Sequence, residues 1–376
     1  MPSFSPLSIT ALGLACSLGT DAVLACAAAR AGLTRVRDLP FTVKDEETNE
    51  DEPVSGHPVP GLTAGFEGQG RLSRLMQLGL ADLATRMPDD PLADAPYGCV
   101  LVLPDPPLAE DPAYEIYADD RAQTWPAEPL TQLVRACLSS PGPDGLAPQV
   151  QTVHRVGEAE GGVAAAFQRA AAWIEAGPCA RCIVGAVDSL VHPRALRSLQ
   201  ADDRLKTPDQ PAGLMPGEAS AFVLLERQVS TPPTGPLGIL TQVHIGDEPN
   251  HRETGEPPLG RGLAEVLQAA FEDAAPSTGP DADVPWLLSD HNGEPYRAAE
   301  LGHALMRLCA SAPRYQQTEI WYPALHVGDT GLASGLVGLS LVLRAFARGY
   351  KPARHAVIAT SGDGRARTTF CVQDAS

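Results

Sequence analysis

The sequence has little that is basic. Only three of its 376 residues are lysine (Lys44, Lys206 and Lys351), so arginine supplies most of the positive charge, and the formal net charge is −18. With no clustered Lys/Arg face, the chain has nothing to neutralise phosphates or anionic lipid, which argues against nucleic acid or a membrane surface as partner. A second CxxC or a nearby His pair is also missing, so Cys179 and Cys182 (CARC) do not complete a zinc site; Cys182 leads straight into the strand-like CIVGAV. The other six cysteines (Cys16, Cys26, Cys99, Cys137, Cys309 and Cys371) sit mostly in apolar runs. That suits reduced thiols in a cytoplasmic core better than a disulfide framework. No Lys or Arg precedes Arg30, and Asp21 interrupts the apolar N-terminal stretch, so a signal peptide is not expected. No segment is read as long enough for a membrane span.

What is present is ample apolar material, 44% of residues, and a pattern alternating between strand and helix periods. LSITALGL, YGCVLVLP, RCIVGAVDSL and SAFVLLER read as strands, with DAVLACAAARAG and GGVAAAFQRAAAWIEAG as helices. A Pro-rich break at 227–238 is the expected linker, dividing an N-terminal half (1–226) from a C-terminal half (239–376). The second series repeats the alternation: strand ILTQVHI, helix GLAEVLQAAFEDAA, strand VPWLLSD, helix YRAAELGHALMRLCA, strand EIWYPALH, a helix from Thr330, and strands HAVIAT and TTFCVQD. The class is therefore α/β, with helices packed on sheets. The acidic run Lys44 to Pro53 and the Pro/Asp-rich LPDPPLAEDP read as solvated loops.

Four segments, in order, resemble the thiolase superfamily and within it the β-ketoacyl synthase branch. They are ITALGLACSLG, IEAGPCARCIVGAVDSL, LMPGEASAFVLLE and HVGDTGLASG, the last similar to a G-H-T-x-G-A-A-G turn and helix. The resemblance implies a duplicated five-layer αβαβα fold whose related halves face two buried helices, commonly as a dimer. The sequence itself agrees on one point. Gly331, Ser334, Gly335 and Gly338 recur at a spacing that permits close backbone approach along that helix.

A synthase of this kind needs a cysteine thiolate at a helix N-terminus and two histidines that stabilise the developing negative charge. Counting back seventeen residues from Gly177, as the resemblance implies, arrives at Glu160 in GEAEGG, and no cysteine lies between Cys137 and Cys179. The first histidine position falls on Asp290 in DHNGEP, or on His291 with a slip of one residue. The second falls on Asp329, in GDT where relatives have GHT; His326 comes three residues early. A further turn reads SGDGRAR, placing Asp363 and Arg365 where relatives have aromatic gating residues. Glu160 and Asp329 also have a plain structural reading as acceptors for orphan amides at helix starts. For Glu218 and Glu226 the expectation is scaffold, the first fixing a turn and the second ending a strand.

No catalytic residue and no cofactor follows from this pattern. The leading expectation is a pseudo-ketosynthase acting as a scaffold, partner subunit or accessory of a larger assembly, as a homodimer or paired with a synthase-like subunit in the manner of a chain-length factor. Two alternatives remain open. One is an acyltransferase, decarboxylase or hydrolase acting on acyl-CoA or acyl-ACP with repurposed carboxylates; the other is a noncatalytic binder of an acyl group or a cation.

Overall fold

In the computed structural model, the residues described are 4–59, 61–87, 96–104, 127–138, 150–228, 235–274 and 283–376. The N-terminal half contains β1 (Leu7–Cys16), α1 (Ala22–Arg30), β2 (Arg37–Lys44), β3 (Asp51–Gly56), α2 (Gly68–Ala84) and β4 (Tyr97–Val102). It continues through α3 (Ala127–Leu138), β5 (Val150–Val156), α4 (Gly162–Ala176), β6 (Arg181–Ser189), α5 (Pro193–Ala201) and β7 (Glu218–Arg227). The C-terminal half runs β8 (Gly238–Asp247), α6 (Arg261–Ala274), β9 (Trp286–Ser289), α7 (Pro295–Ser311), β10 (Ile320–Trp321), α8 (Ala324–Val327), α9 (Ser334–Arg348), β11 (His355–Ser361) and β12 (Ala366–Gln373).

The strand order is β10-β9-β11-β12-β8-β1-β7-β6-β4-β5. Read outward from the centre, each half has the same topology: its first strand pairs antiparallel with its last, the last antiparallel with its fourth, and the remaining two pairs are parallel. Among the described residues, the halves pair in the sheet from Leu7↔Leu240 to Ile9↔Gly238. That repeat is the duplication the sequence pattern implied. The expected linker spans the joint between β7 and β8, but residues 229–234 of it lie outside those described.

Both faces of each five-stranded set are covered, which is why β4 and β6 are buried along their whole length and read as continuous apolar runs. One core joins α4 and α9 to strands of both halves, with α1 at its edge. A second packs α2 and α3 against the outer face of the N-terminal half, and a third packs α6 and α7 against that of the C-terminal half. The layers are thus helix, sheet, helix, sheet, helix. Along α9 the glycines differ in what they permit. A Cβ on Gly335 would lie 3.1 Å from Thr360 and 3.4 Å from Val163 of α4, whereas Gly338 would meet only ordinary contacts.

The stretch Gly331–Arg348, at 18 residues, has the length and apolarity of a membrane span, contrary to the sequence-based expectation, but 67% of it is buried inside the molecule. Its hydropathy reflects a middle layer covered by protein on both sides. The sequence reading missed β2, β3, α2, α3, β5 and α5, and the expected strand EIWYPALH is only the two-residue β10, because Pro323 turns the chain into the short helix α8. The acidic run forms the turn and facing edges of the β2–β3 hairpin, where Asp45 accepts the Thr48 amide at 2.6 Å. Helix α2 carries both glycine and charge along an amphipathic face. Of LPDPPLAEDP, everything beyond Pro104 lies outside the described residues.

Close packing of β1 on α2 gives a direct test. A Cβ at Gly13 would lie 2.3 Å from the Gly79 carbonyl oxygen and 2.5 Å from the Leu83 nitrogen, both backbone atoms that cannot swing aside. Gly13→Ala is therefore expected to cost about 1–3 kcal/mol, read as a lower denaturation midpoint in urea with unchanged slope.

Candidate functional site

A cavity of about 160 Å³ lies between the N-terminal ends of α4 and α9, closed by the loops after β6, β9 and β11. Its lining includes Glu158, Asp188, Asp290, Asp329 and Asp363 together with Arg204 and Arg297. None of its lining residues is a cysteine or a histidine.

The backbone there is built by glycine. Gly161 and Gly162 enter α4 at φ of 101° and 52°, conformations that favour glycine, and leave the helix without a side-chain cap. On the other side, Gly217 donates to the Asp329 carbonyl at 2.8 Å, and the Asp329 amide donates to the Met215 carbonyl at 2.8 Å. A Cβ at Gly217 would lie 2.2 Å from the Val327 carbonyl, so only glycine permits this clasp. The LMPGE and HVGDTG segments, distant in sequence, are thus parts of one device.

Glu160 does not enter the cavity. It is exposed, and its carboxylate accepts the Gly157 amide at 3.0 Å. The carboxylate that does enter is two residues earlier: Glu158 accepts the Asp363 amide at 2.7 Å. The turn ahead of the paired glycines decides which of the two acids points inward, and counting from the far end of the helix cannot resolve that turn. Asp329 lines the cavity, with one oxygen accepting the Gly331 amide at 2.8 Å and the other the Asn292 side chain at 2.6 Å. Asp290 also lines it, bound by the Ser361 amide at 2.7 Å and by Arg297. His291 turns away, its ring edge-on to Tyr322 at 5.6 Å, and His326 lies by α1 and is absent from the lining.

Asp188 and three arginines went unrecognised in the sequence. Asp188, at the end of β6, accepts amides from Ser189 at 2.7 Å and Leu332 at 2.9 Å. Arg204 forks onto Glu294 at 2.8 and 3.0 Å and reaches Asp363 at 2.7 Å. Arg252 joins the same two carboxylates at 2.7 and 3.3 Å. Arg297 contacts Asp290, Asp363 and the Ser361 carbonyl, with Glu294 at 3.8 Å. Such bidentate, planar recognition of carboxylate is what arginine does best. Guanidinium groups, those of Arg204 and Arg297 in the lining and of Arg252 behind it, thus stand among the carboxylates. Their only sequence signal was Asp363 in SGDGRAR, which the structure turns from a gate into an ion-pair partner.

Charge state follows from this arrangement. Burial pushes the Asp188 carboxyl up to about 6 against the pull of its two amide donors. Burial likewise takes Asp290 to about 6 despite Arg297 and the Ser361 amide, and raises Glu158 together with repulsion from Asp363. For Asp363 and Glu294, burial opposes ionisation too, but the arginines prevail and hold both below the usual carboxylate range. No group of three or more His, Cys, Asp or Glu among the described residues has metal-holding geometry.

Glu218 and Glu226 are scaffold, as expected. Glu218, fully buried, accepts the Val59 amide at 2.7 Å and Thr63 at 2.6 Å, and pairs with Arg71 at 2.6 Å; Glu226 ends β7 facing Arg181 at 3.3 Å.

No protein-family model and no curated protein matches the chain. Solved structures do, through shape. The oxazolomycin ketosynthase domain OzmH KS7 of Streptomyces albus JA3453 superposes with a TM-score of 0.73 at 16% identity, covering 99% of this chain and 75% of that one. The ishigamide ketosynthase/chain length factor gives 0.64 at 17% identity, covering 99% and 100%. A type II polyketide ketosynthase solved with its acyl-carrier protein and a hexaketide gives 0.71 at 14%, again covering 99% and 100%. The chain has the thiolase-like fold of these ketosynthases.

Proposed function

We propose that this chain is a noncondensing member of the ketosynthase fold that works as a scaffold or partner subunit in the cytoplasm. The observation that carries the reading is the cavity between the two central helices: it has neither thiol nor imidazole, and arginines bind much of its carboxylate. Carbon–carbon bond formation there would lack a nucleophile of adequate strength and would develop negative charge beside carboxylates. At about 160 Å³ the cavity is also below the size of ordinary ligand pockets, about 300–1,000 Å³, which weighs against acyl-thioester chemistry using the carboxylates. The partner most consistent with the fold is a second ketosynthase-like subunit, either another copy or a cysteine-bearing relative, since one structural neighbour is a ketosynthase/chain length factor.

The test combines turnover with copurification. Purified protein offered acyl-CoA and acyl-carrier thioesters is expected to show no condensation, decarboxylation or hydrolysis above background, and a cysteine-bearing ketosynthase is expected to copurify from the native host. Turnover that Glu158→Ala or Asp329→Asn abolishes would overturn the proposal.

A further inference from the structure

The cavity holds more acid than base. Five carboxyls, Glu158, Asp188, Asp290, Asp329 and Asp363, line it with two guanidiniums, Arg204 and Arg297, and Glu294 and Arg252 pair with these from outside the lining. All the ion pairs formed there fall on Asp290, Glu294 and Asp363. Glu158 and Asp188 have only amide donors and lie in the field of neighbouring carboxylates, so burial makes it costly to keep both ionised. The same groups hold the two halves together: Asp188 binds the Leu332 amide and Glu158 binds the Asp363 amide, both across the boundary.

We propose that this cavity is a proton-operated latch between the two halves of the fold, closed when Glu158 and Asp188 are neutral and loosened when they ionise. A protonated carboxyl still accepts an amide hydrogen bond through its carbonyl oxygen, so closure survives protonation while the repulsion disappears. Each element packed around these carboxyls contributes a charge that sets the balance. Asp329 presses on Asp188 and Asp290, Glu300 on Asp290, and Asp363 and Glu253 on Glu158, while Arg297 supports Asp290 and Glu158. Burial and these neighbours raise the native-state values of Asp188 and Asp290 to about 6 from 3.8. Native protein therefore retains protons that the unfolded chain has released, and the stabilisation is full below the unfolded value and lost as pH rises through about 6. Buried His57 and His192, lowered to about 4, act the opposite way by favouring the native state at higher pH. Global melting mixes both effects, so the latch must be read locally.

The readout is hydrogen exchange of the Leu332 and Asp363 amides, the two that cross the boundary, corrected for the intrinsic rate. Protection is expected to be about tenfold greater near pH ~5 than near pH ~7.5, and Asp188→Asn and Glu158→Gln are each expected to flatten that dependence. Protection that is equal at the two pH values, or greater at the higher one, overturns the latch. So does protection restored at the higher pH by Mg²⁺ or K⁺ alone, because a cation rather than a proton would then neutralise the cavity. Should the variants fail to fold, infrared spectroscopy of the unaltered protein decides. A carbonyl band of protonated carboxylic acid, lost with a midpoint near 6, supports the latch, and its absence from native protein at low pH sinks it.

Discussion

Arg71→Met is expected to destabilise the chain by about 3–5 kcal/mol, enough to leave much of it insoluble. The reason lies in what remains behind. Glu218 is fully buried, and Arg71 gives it bonds of 2.6 and 3.0 Å besides donating to the Thr63 and Phe66 carbonyls. Without the guanidinium, an ionised carboxylate would stay in the interior with only Val59, Thr63 and Ser189 as donors. Neutralising it should therefore recover part of the loss, so Arg71→Met/Glu218→Gln is expected to unfold at higher urea than Arg71→Met alone. A double variant less stable than the single one would show that the pair contributes through shape and not through charge.

Arg297→Met should be nearly as costly, about 3–5 kcal/mol by the same mechanism. Only 12% of its side chain is exposed, and it serves Asp290, Asp363 and the Ser361 carbonyl at once. Its removal also withdraws the main cation supporting Asp290, whose carboxyl would rise further above its present value of about 6. The deficit is thus expected to shrink on acidification, as Asp290 takes up a proton, and Asp290→Asn is expected to rescue part of it at neutral pH. Denaturation midpoints measured across that pH interval check both statements. A deficit that grows with acidity would mean that Arg297 works mainly by packing its aliphatic stem.

Much of the fold was legible because its signals are local and periodic. Continuous apolar runs such as RCIVGAVDSL announce strands covered on both faces, and the apolar stretch after HVGDTG announces a buried helix. The β2–β3 hairpin was not legible, since its strands are short of apolar residues and largely exposed, and their pairing is a tertiary choice. At the site, Asp290 and Asp329 could be found because they sit in turns with recognisable neighbours. Glu158 and Asp188 stand inside marked segments, but which acid of GEAEGG points inward is set by the turn in space, and no motif marks Arg204, Arg252 or Arg297.

The sequence by itself determined the α/β class, the repeated alternation, and the absence of any cysteine between Cys137 and Cys179 where a condensing helix would begin. These depend on side-chain identity and on periods of two or 3.6, which are properties of short stretches. Only the tertiary structure decided which acid faces inward, and that arginines from three separate segments converge on the same carboxylates, Glu294 and Asp363. Charge compensation acts through distance in space and through exclusion of water, and neither is written in the order of residues.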